Sequence, residues 1–171
     1  MLETNRLLLR QLTTSDIKPL SLLLCDPEVM RYSVNGVMDE KATFEFVTWC
    51  QTSYVKSGFG PWAIIDKNSN KLLGFSGLNE ETHNNQTIVN LGYRLGREHW
   101  NKGYATEAVC AVLEYAFIDL KIAKIVAIVE PENIGSNRII EKLGFNTFDI
   151  GEYHKKVIHK YTLSKAQWRL V

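Results

Sequence analysis

Residues 95–145 constrain the fold more than any other stretch, because they hold two loop-to-helix junctions separated by one short apolar strand. The first junction runs Leu95-Gly96-Arg97-Glu98-His99-Trp100-Asn101-Lys102-Gly103-Tyr104-Ala105-Thr106-Glu107. The second runs Glu130-Pro131-Glu132-Asn133-Ile134-Gly135-Ser136-Asn137-Arg138 and closes at Lys142-Leu143-Gly144-Phe145. Between them Ala105, Ala108, Val109, Val112, Leu113, Ala116, Phe117 and Leu120 recur at the i, i+3, i+4, i+7 spacing of a packed helix. Lys124 to Val129 then follows as a buried strand by its apolar run. Strand, helix, strand in that order predicts a parallel pair joined by a crossover.

A helix that starts on a glycine presents free backbone N–H groups and a positive dipole end, so it can hold an anion such as a diphosphate. Gly103 stands where a bulky side chain would fend a ligand off, and Ala105 extends the small surface. Asn133 is a good cap for the second helix.

The remaining elements read around this pair. Arg6 to Leu12 alternates as a first strand, with Leu7, Leu9 and Gln11 on one face. Thr14 or Ser15 can cap a helix from Asp16 to Leu24, and Pro19 is tolerated in its first turn. Asp39 to Lys56 reads as a second helix spaced by Phe44, Val47, Thr48 and Gln51 and stopped by Gly58. Phe59 to Ile65 and Lys71 to Leu78 form a hairpin across Asp66-Lys67-Asn68-Ser69-Asn70. Ile88 to Leu95 is the next strand, and Asn146 to Gly151 and Lys155 to Leu163 close the chain. Arg31 to Asp39 and Glu80 to Thr87 read as loops. The pattern predicts an α+β fold with a mixed, mostly antiparallel sheet of about seven strands and flanking helices.

Length and composition bound what such a fold does. At 171 residues the chain is expected to be a single domain, 1–171, with no repeat or low-complexity linker dividing it. Its 20 basic and 19 acidic residues leave no general basic excess, so no direct nucleic-acid binding is expected. Cys25, Cys50 and Cys110 are odd in number, far apart and outside any Cys-x-x-Cys, which fits reduced thiols in the cytoplasm. Met1 to Leu12 alternates charge and leucine instead of forming a signal peptide, and no apolar run approaches the roughly 20 residues of a membrane span. His83, His99, His154 and His159 show no metal-ligand spacing, and the phosphate-loop, dinucleotide and zinc-protease signatures are absent. No metal is expected.

The two junctions together resemble the GNAT family of N-acetyltransferases, in particular its branch that acetylates the N-termini of ribosomal proteins. The family's acyl-CoA signature, Gln/Arg-x-x-Gly-x-Gly/Ala, falls on Trp100-Asn101-Lys102-Gly103-Tyr104-Ala105, with Trp100 in place of the opening Gln or Arg. The family's Asn-x-x-Ser and Lys-Leu-Gly-Phe elements fall on Asn133, Ser136 and Lys142 to Phe145, and the opening Leu-x-x-Asn-Arg-Leu-x-Leu-Arg on Leu2 to Arg10. The resemblance implies acetyl-CoA as cofactor, a splayed parallel strand pair, and a primary amine as acceptor. It places cofactor contacts on Asn101, Lys102, Gly103, Tyr104, Ala105 and Thr106, with the pantetheine arm along Tyr93 to Leu95 and meeting Asn133. It implies a monomer or homodimer that engages no membrane.

The residues that move protons are less plainly marked. A glutamate two residues before the Gly-Tyr pair serves many relatives, but here that position is Asn90, which cannot act as a base. Glu98 lies near the position used by other relatives, and Glu80 or Glu81 ends the preceding strand. The family tyrosine that protonates the thiolate falls on Ile140, so Ser136 is the natural substitute and Glu98 the expected base. An α-amine with pKa near 7.8 is neutral in about one molecule in ten at pH 7, against about one in two thousand for a lysine near 10.4. Without a strong base the α-amine is the easier substrate, so a protein or peptide N-terminus is expected. Polyamines, antibiotics and a weakly catalytic CoA-binding module are the alternatives.

Overall fold

Strict alternation drives the first long strand, β2 (Leu7–Gln11), to bury Leu7 and Leu9 completely, on the face the sequence assigned them. The computed structural model describes residues Met1–Trp168, and the expected domain end at Val171 lies outside them. The other elements are β1 (Leu2–Glu3), α1 (Ile17–Leu24), α2 (Glu40–Ser57), β3 (Pro61–Asp66), β4 (Leu72–His83), β5 (Gln86–Leu95), α3 (Tyr104–Ile118), β6 (Lys124–Val129), α4 (Ile134–Lys142), β7 (Phe148–Tyr153), β8 (Lys156–Ser164) and α5 (Lys165–Trp168). Eight strands form one sheet in the order β1-β2-β3-β4-β5-β6-β8-β7. β5 and β6 run parallel, in register at Asn90↔Val126, as the crossover through α3 requires. The other registered pairs are antiparallel. The strand beyond the expected seven is β1, two residues paired with Leu8 and Leu9.

By internal contacts the chain divides into Met1–Asn79 with Gly92–Val112, and Glu80–Leu91 with the residues from Leu113 on. In the first unit Leu12, Leu20, Leu24, Val29, Met30, Val47, Cys50, Ala63 and Ile65 form one apolar cluster. A 3-10 turn, Thr14–Asp16, precedes α1, and its cap is Thr13 instead of Thr14 or Ser15. The reason is Asp16, which reaches back to accept from the Thr13 amide at 2.8 Å and grips Arg10 with both oxygens at 2.7 and 2.8 Å. Burial alone would raise the Asp16 pKa, but Arg10 and Thr13 hold it below the usual carboxylate value.

α2 starts on Asp39, whose carboxylate accepts from the Ala42 amide at 2.8 Å, and ends on Gly58 in a left-handed conformation, as expected. Its buried stripe is Thr43, Val47 and Cys50, one residue out of phase with the expected Phe44, Val47, Thr48 and Gln51. Thr43 tolerates full burial because its hydroxyl donates to the Asp39 carbonyl at 2.8 Å, whereas Phe44 is half exposed. Tyr54 continues the stripe: it accepts from the Leu12 amide and donates to the Pro61 carbonyl, stapling α2 to both neighbouring strands.

In the second unit the residues read as a loop, Glu80 to Thr87, are instead the ends of β4 and β5 around a two-residue turn. Asn84 and Asn85 both hold positive φ, +49° and +61°, which matches the right-handed twist of a hairpin. His154 and Lys155 do the same for β7 and β8, with φ of +48° and +64°. β6 is flanked by β8 in register from Lys124↔Ser164 to Val129↔His159, and Ile125, Ala127, Ile158, Tyr161 and Leu163 are buried there.

Candidate active site

The first unit carries the anion-ready junction. β5 ends at Leu95, and the Gly96 amide donates to the Leu73 carbonyl at 2.9 Å, fixing where the chain leaves the sheet. A 3-10 turn, Arg97–His99, follows. Trp100 then donates its indole N–H back to the Leu95 carbonyl at 2.8 Å, so its ring braces the loop. Asn101 and Gly103 take positive φ, +58° and +79°, and the chain then enters α3 at Tyr104. The Glu107 amide closes the first helical bond to the Gly103 carbonyl at 3.0 Å. The amides of Tyr104 to Thr106 therefore precede that bond at the positive end of a 15-residue helix. Ala105 is buried, Tyr104 and Thr106 half-buried, and Asn101, Lys102 and Gly103 exposed. A glycine at left-handed φ, first-turn amides ahead of the first helical bond and a small buried neighbour fit a bound diphosphate.

A carboxylate and a guanidinium lock this junction, neither of them marked as functional by the sequence. Glu107 accepts from the Thr4 hydroxyl at 2.6 Å, the Arg6 amide at 2.8 Å and Arg6 Nε at 2.6 Å. Burial would raise its pKa, but these donors hold it below the usual value. The only trace in the sequence is an arginine at the start of the expected first strand and a glutamate in the first turn of α3.

Glu98 lies on the 3-10 turn with its side chain 73% exposed and one carboxylate oxygen 3.2 Å from His99 Nε2. His99 meets the Tyr104 ring edge-on at 6.4 Å. Tyr93 is half-buried and Leu95 buried in the last residues of β5.

The second unit carries the other junction. Asn133 caps α4, its side-chain oxygen accepting from the Ser136 amide at 3.2 Å, and Ser136 is half-buried in the first turn. Ile140, where the family tyrosine would stand, is buried and apolar. Asn137 organises the approach: its amide donates to the carbonyls of Glu130, Pro131 and Asn133 at 3.1, 3.4 and 2.9 Å. Its oxygen accepts from the Tyr161 hydroxyl at 2.8 Å and lies 3.2 Å from His159 Nδ1. Burial, then Glu141, pushes the Tyr161 phenol up to about 12, so it stays a donor. A polar residue one turn before Ile140 on the buried face of α4 was the available signal for Asn137.

Also in this unit, Asn90 donates to Glu81 at 3.1 Å, and the Tyr153 phenol, raised by burial and by Glu81, hydrogen-bonds the same carboxylate. Of the two glutamates considered on this strand, Glu81 is therefore held in place by named partners.

The family described as the acetyltransferase (GNAT) domain matches residues 6–146. The chain is 35% identical over 161 residues to the uncharacterized protein YkkB of Bacillus subtilis (strain 168), covering 94% of this chain and 89% of that one. It is similar to a GNAT-family acetyltransferase from Bacillus anthracis of known crystal structure, with 26% identity, a TM-score of 0.79, and coverage of 96% and 98%. The fold also matches a spermidine N-acetyltransferase from Vibrio cholerae, solved in complex with CoA and spermine, at 17% identity and a TM-score of 0.77, covering 97% and 99%.

Proposed function

This chain belongs to the GNAT acetyltransferase family, and from that premise we propose that it transfers acetyl from acetyl-CoA to the α-amine of a protein or peptide N-terminus, in the manner of the family's ribosomal-protein branch. The observation that carries the cofactor is the Asn101–Thr106 turn, with Gly103 at φ +79° opening onto the first amides of α3. The Vibrio cholerae neighbour, solved with CoA, supports the same cofactor here. When bound, acetyl-CoA supplies the activated acyl group; the protein supplies position and proton management.

In this reading the amides of Asn101 to Thr106 hold the diphosphate, with Lys102 beside it. The strand end Tyr93 to Leu95 pairs with the pantetheine amides as a neighbouring strand would, and its N–H groups polarise the thioester carbonyl. Asn133 keeps its cap while offering its remaining polar capacity to the arm. Ser136 hydrogen-bonds the departing thiolate, since buried Ile140 has no proton to give. Glu98 is the proposed base, acting through a water from its exposed position. Glu81 is a second candidate, favoured by its hydrogen bond from Asn90. Cys25, Cys50 and Cys110, none of them in a disulfide, support a reducing, cytoplasmic setting for an enzyme of one domain, monomeric or homodimeric.

Thiol release from acetyl-CoA in the presence of a peptide with a free N-terminus tests this function. In that assay Ser136→Ala and Glu98→Gln should each lower kcat by about tenfold or more while leaving the KM for acetyl-CoA unchanged, because general acid–base catalysis contributes about 10²–10⁴-fold. If Glu98→Gln keeps wild-type kcat and Glu81→Gln loses it, the base is Glu81. Release with spermine but with no peptide would favour the second reading, a small-amine acetyltransferase, to which the fold match with the Vibrio cholerae enzyme points.

A further inference from the structure

We propose that Arg6 is a positioning residue of the cofactor site, holding the Lys102–Gly103 peptide so that the Gly103 amide faces the diphosphate; this rests on the acetyl-CoA reading above. Arg6 lies between β1 and β2, where its carbonyl accepts from the Lys67 amide at 3.0 Å, so its backbone is anchored from the β3–β4 turn. Its guanidinium spans the loop. Nε bonds Glu107 at 2.6 Å, Nη1 donates to the Lys102 carbonyl at 2.9 Å, and the plane lies over the Tyr104 ring, 4.4 Å from its centroid. Nη2 stands 3.3 Å from where a Cβ on Gly103 would lie.

Each contact has a consequence for an anion at the turn. In a trans peptide the carbonyl and the next N–H point in opposite directions. Holding the Lys102 oxygen toward Arg6 therefore fixes the Gly103 N–H on the other side. Glu107 does not spoil the site for a phosphate, because Thr4 and the Arg6 amide and Nε occupy both of its oxygens. Only arginine reaches three directions at once from one rigid plane; a lysine ammonium satisfies one or two from a flexible stem. The competing account is a surface ion pair that ties the segment before β2 to α3, weak for a guanidinium side chain 38% exposed.

A pair of donors separates these accounts. Coenzyme A binding is measured by calorimetry on wild type, Arg6→Ala and Arg6→Lys, and turnover is measured with acetyl-CoA and with S-acetylpantetheine, which keeps the thioester and arm but lacks the diphosphate. Arg6→Ala should weaken CoA binding by about tenfold or more, as expected when the Gly103 amide is no longer held toward a charged oxygen. It should lower kcat/KM for acetyl-CoA by the same factor and leave kcat/KM for S-acetylpantetheine within about twofold of wild type, with Arg6→Lys restoring only part of the affinity. Arg6→Gln replaces the alanine variant if that variant fails to fold. Unchanged CoA affinity, or equal losses with both donors, would overturn the proposal and leave Arg6 a structural tie. Failure of the wild-type protein to bind CoA would overturn the cofactor reading itself, and this inference with it.

Discussion

Gly103→Val should fold and yet bind CoA about tenfold to a hundredfold more weakly than the parent, the equivalent of one or two lost hydrogen bonds to charged oxygens. Space is not what forbids the valine: a Cβ there meets only Arg6 Nη2, at 3.3 Å, and the end of that side chain can give way. Conformation is what forbids it. Gly103 sits at φ +79°, a region that β-branched residues avoid, so the peptide on one side or the other has to rotate. Rotation turns an amide away from the anion and loosens the Lys102 carbonyl from Arg6. The helix beyond keeps its buried stripe of Ala105, Ala108, Val109, Val112 and Leu113, so the far-UV circular dichroism should stay near normal. Calorimetry with CoA reads the loss, and wild-type affinity in a folded variant would remove Gly103 from the site.

Gly74→Ala should act on stability instead, and more severely than its single methyl suggests. Gly74 is buried in β4 at φ +154°, and a Cβ there would lie 2.0 Å from the Arg94 carbonyl oxygen and 2.9 Å from the Leu95 Cα. Both are backbone atoms at the end of β5, so no side-chain rotation relieves the contact. The strand end proposed to meet the pantetheine arm has to move, or the sheet has to open. With a backbone conformation that itself costs of order 1–3 kcal/mol for a non-glycine residue, the total loss should be about 4 kcal/mol or more, a large part of the stability of an ordinary domain. Urea unfolding measures it. A change below about 1 kcal/mol would mean that the two strands do not approach as described.

These two glycines show what a sequence can and cannot reveal. Gly103 was legible because it stands at the start of a strongly periodic helix, where backbone amides and a missing side chain have a chemical meaning. Gly74 was not, since its importance depends on the close approach of a strand some 20 residues away, and nothing local records that. The β4–β5 hairpin was hidden for a related reason. Asn84-Asn85 sits in a polar run that reads as loop, and only the positive φ of both asparagines identifies the turn. The phase of α2 slipped by one residue because Thr43 looks too polar to bury until its bond to the Asp39 carbonyl is seen. Arg6 and Glu107, 101 positions apart, meet only in the fold. Asn137 was within reach, being a polar side chain on the buried face of α4, but its five partners lie on two segments, the loop before α4 and the distant strand β8.

The central claim, acetyl transfer to an N-terminal α-amine, is tested most directly by mass spectrometry of two peptides incubated with the enzyme and acetyl-CoA. One peptide carries a free N-terminus and no lysine; the other is blocked at its N-terminus and carries one lysine. The account predicts one acetyl group on the first peptide, formed about tenfold or more faster than any on the second, since roughly two hundredfold more of an α-amine is neutral near pH 7. Acetylation of the lysine peptide alone, or of spermine with neither peptide modified, would contradict it.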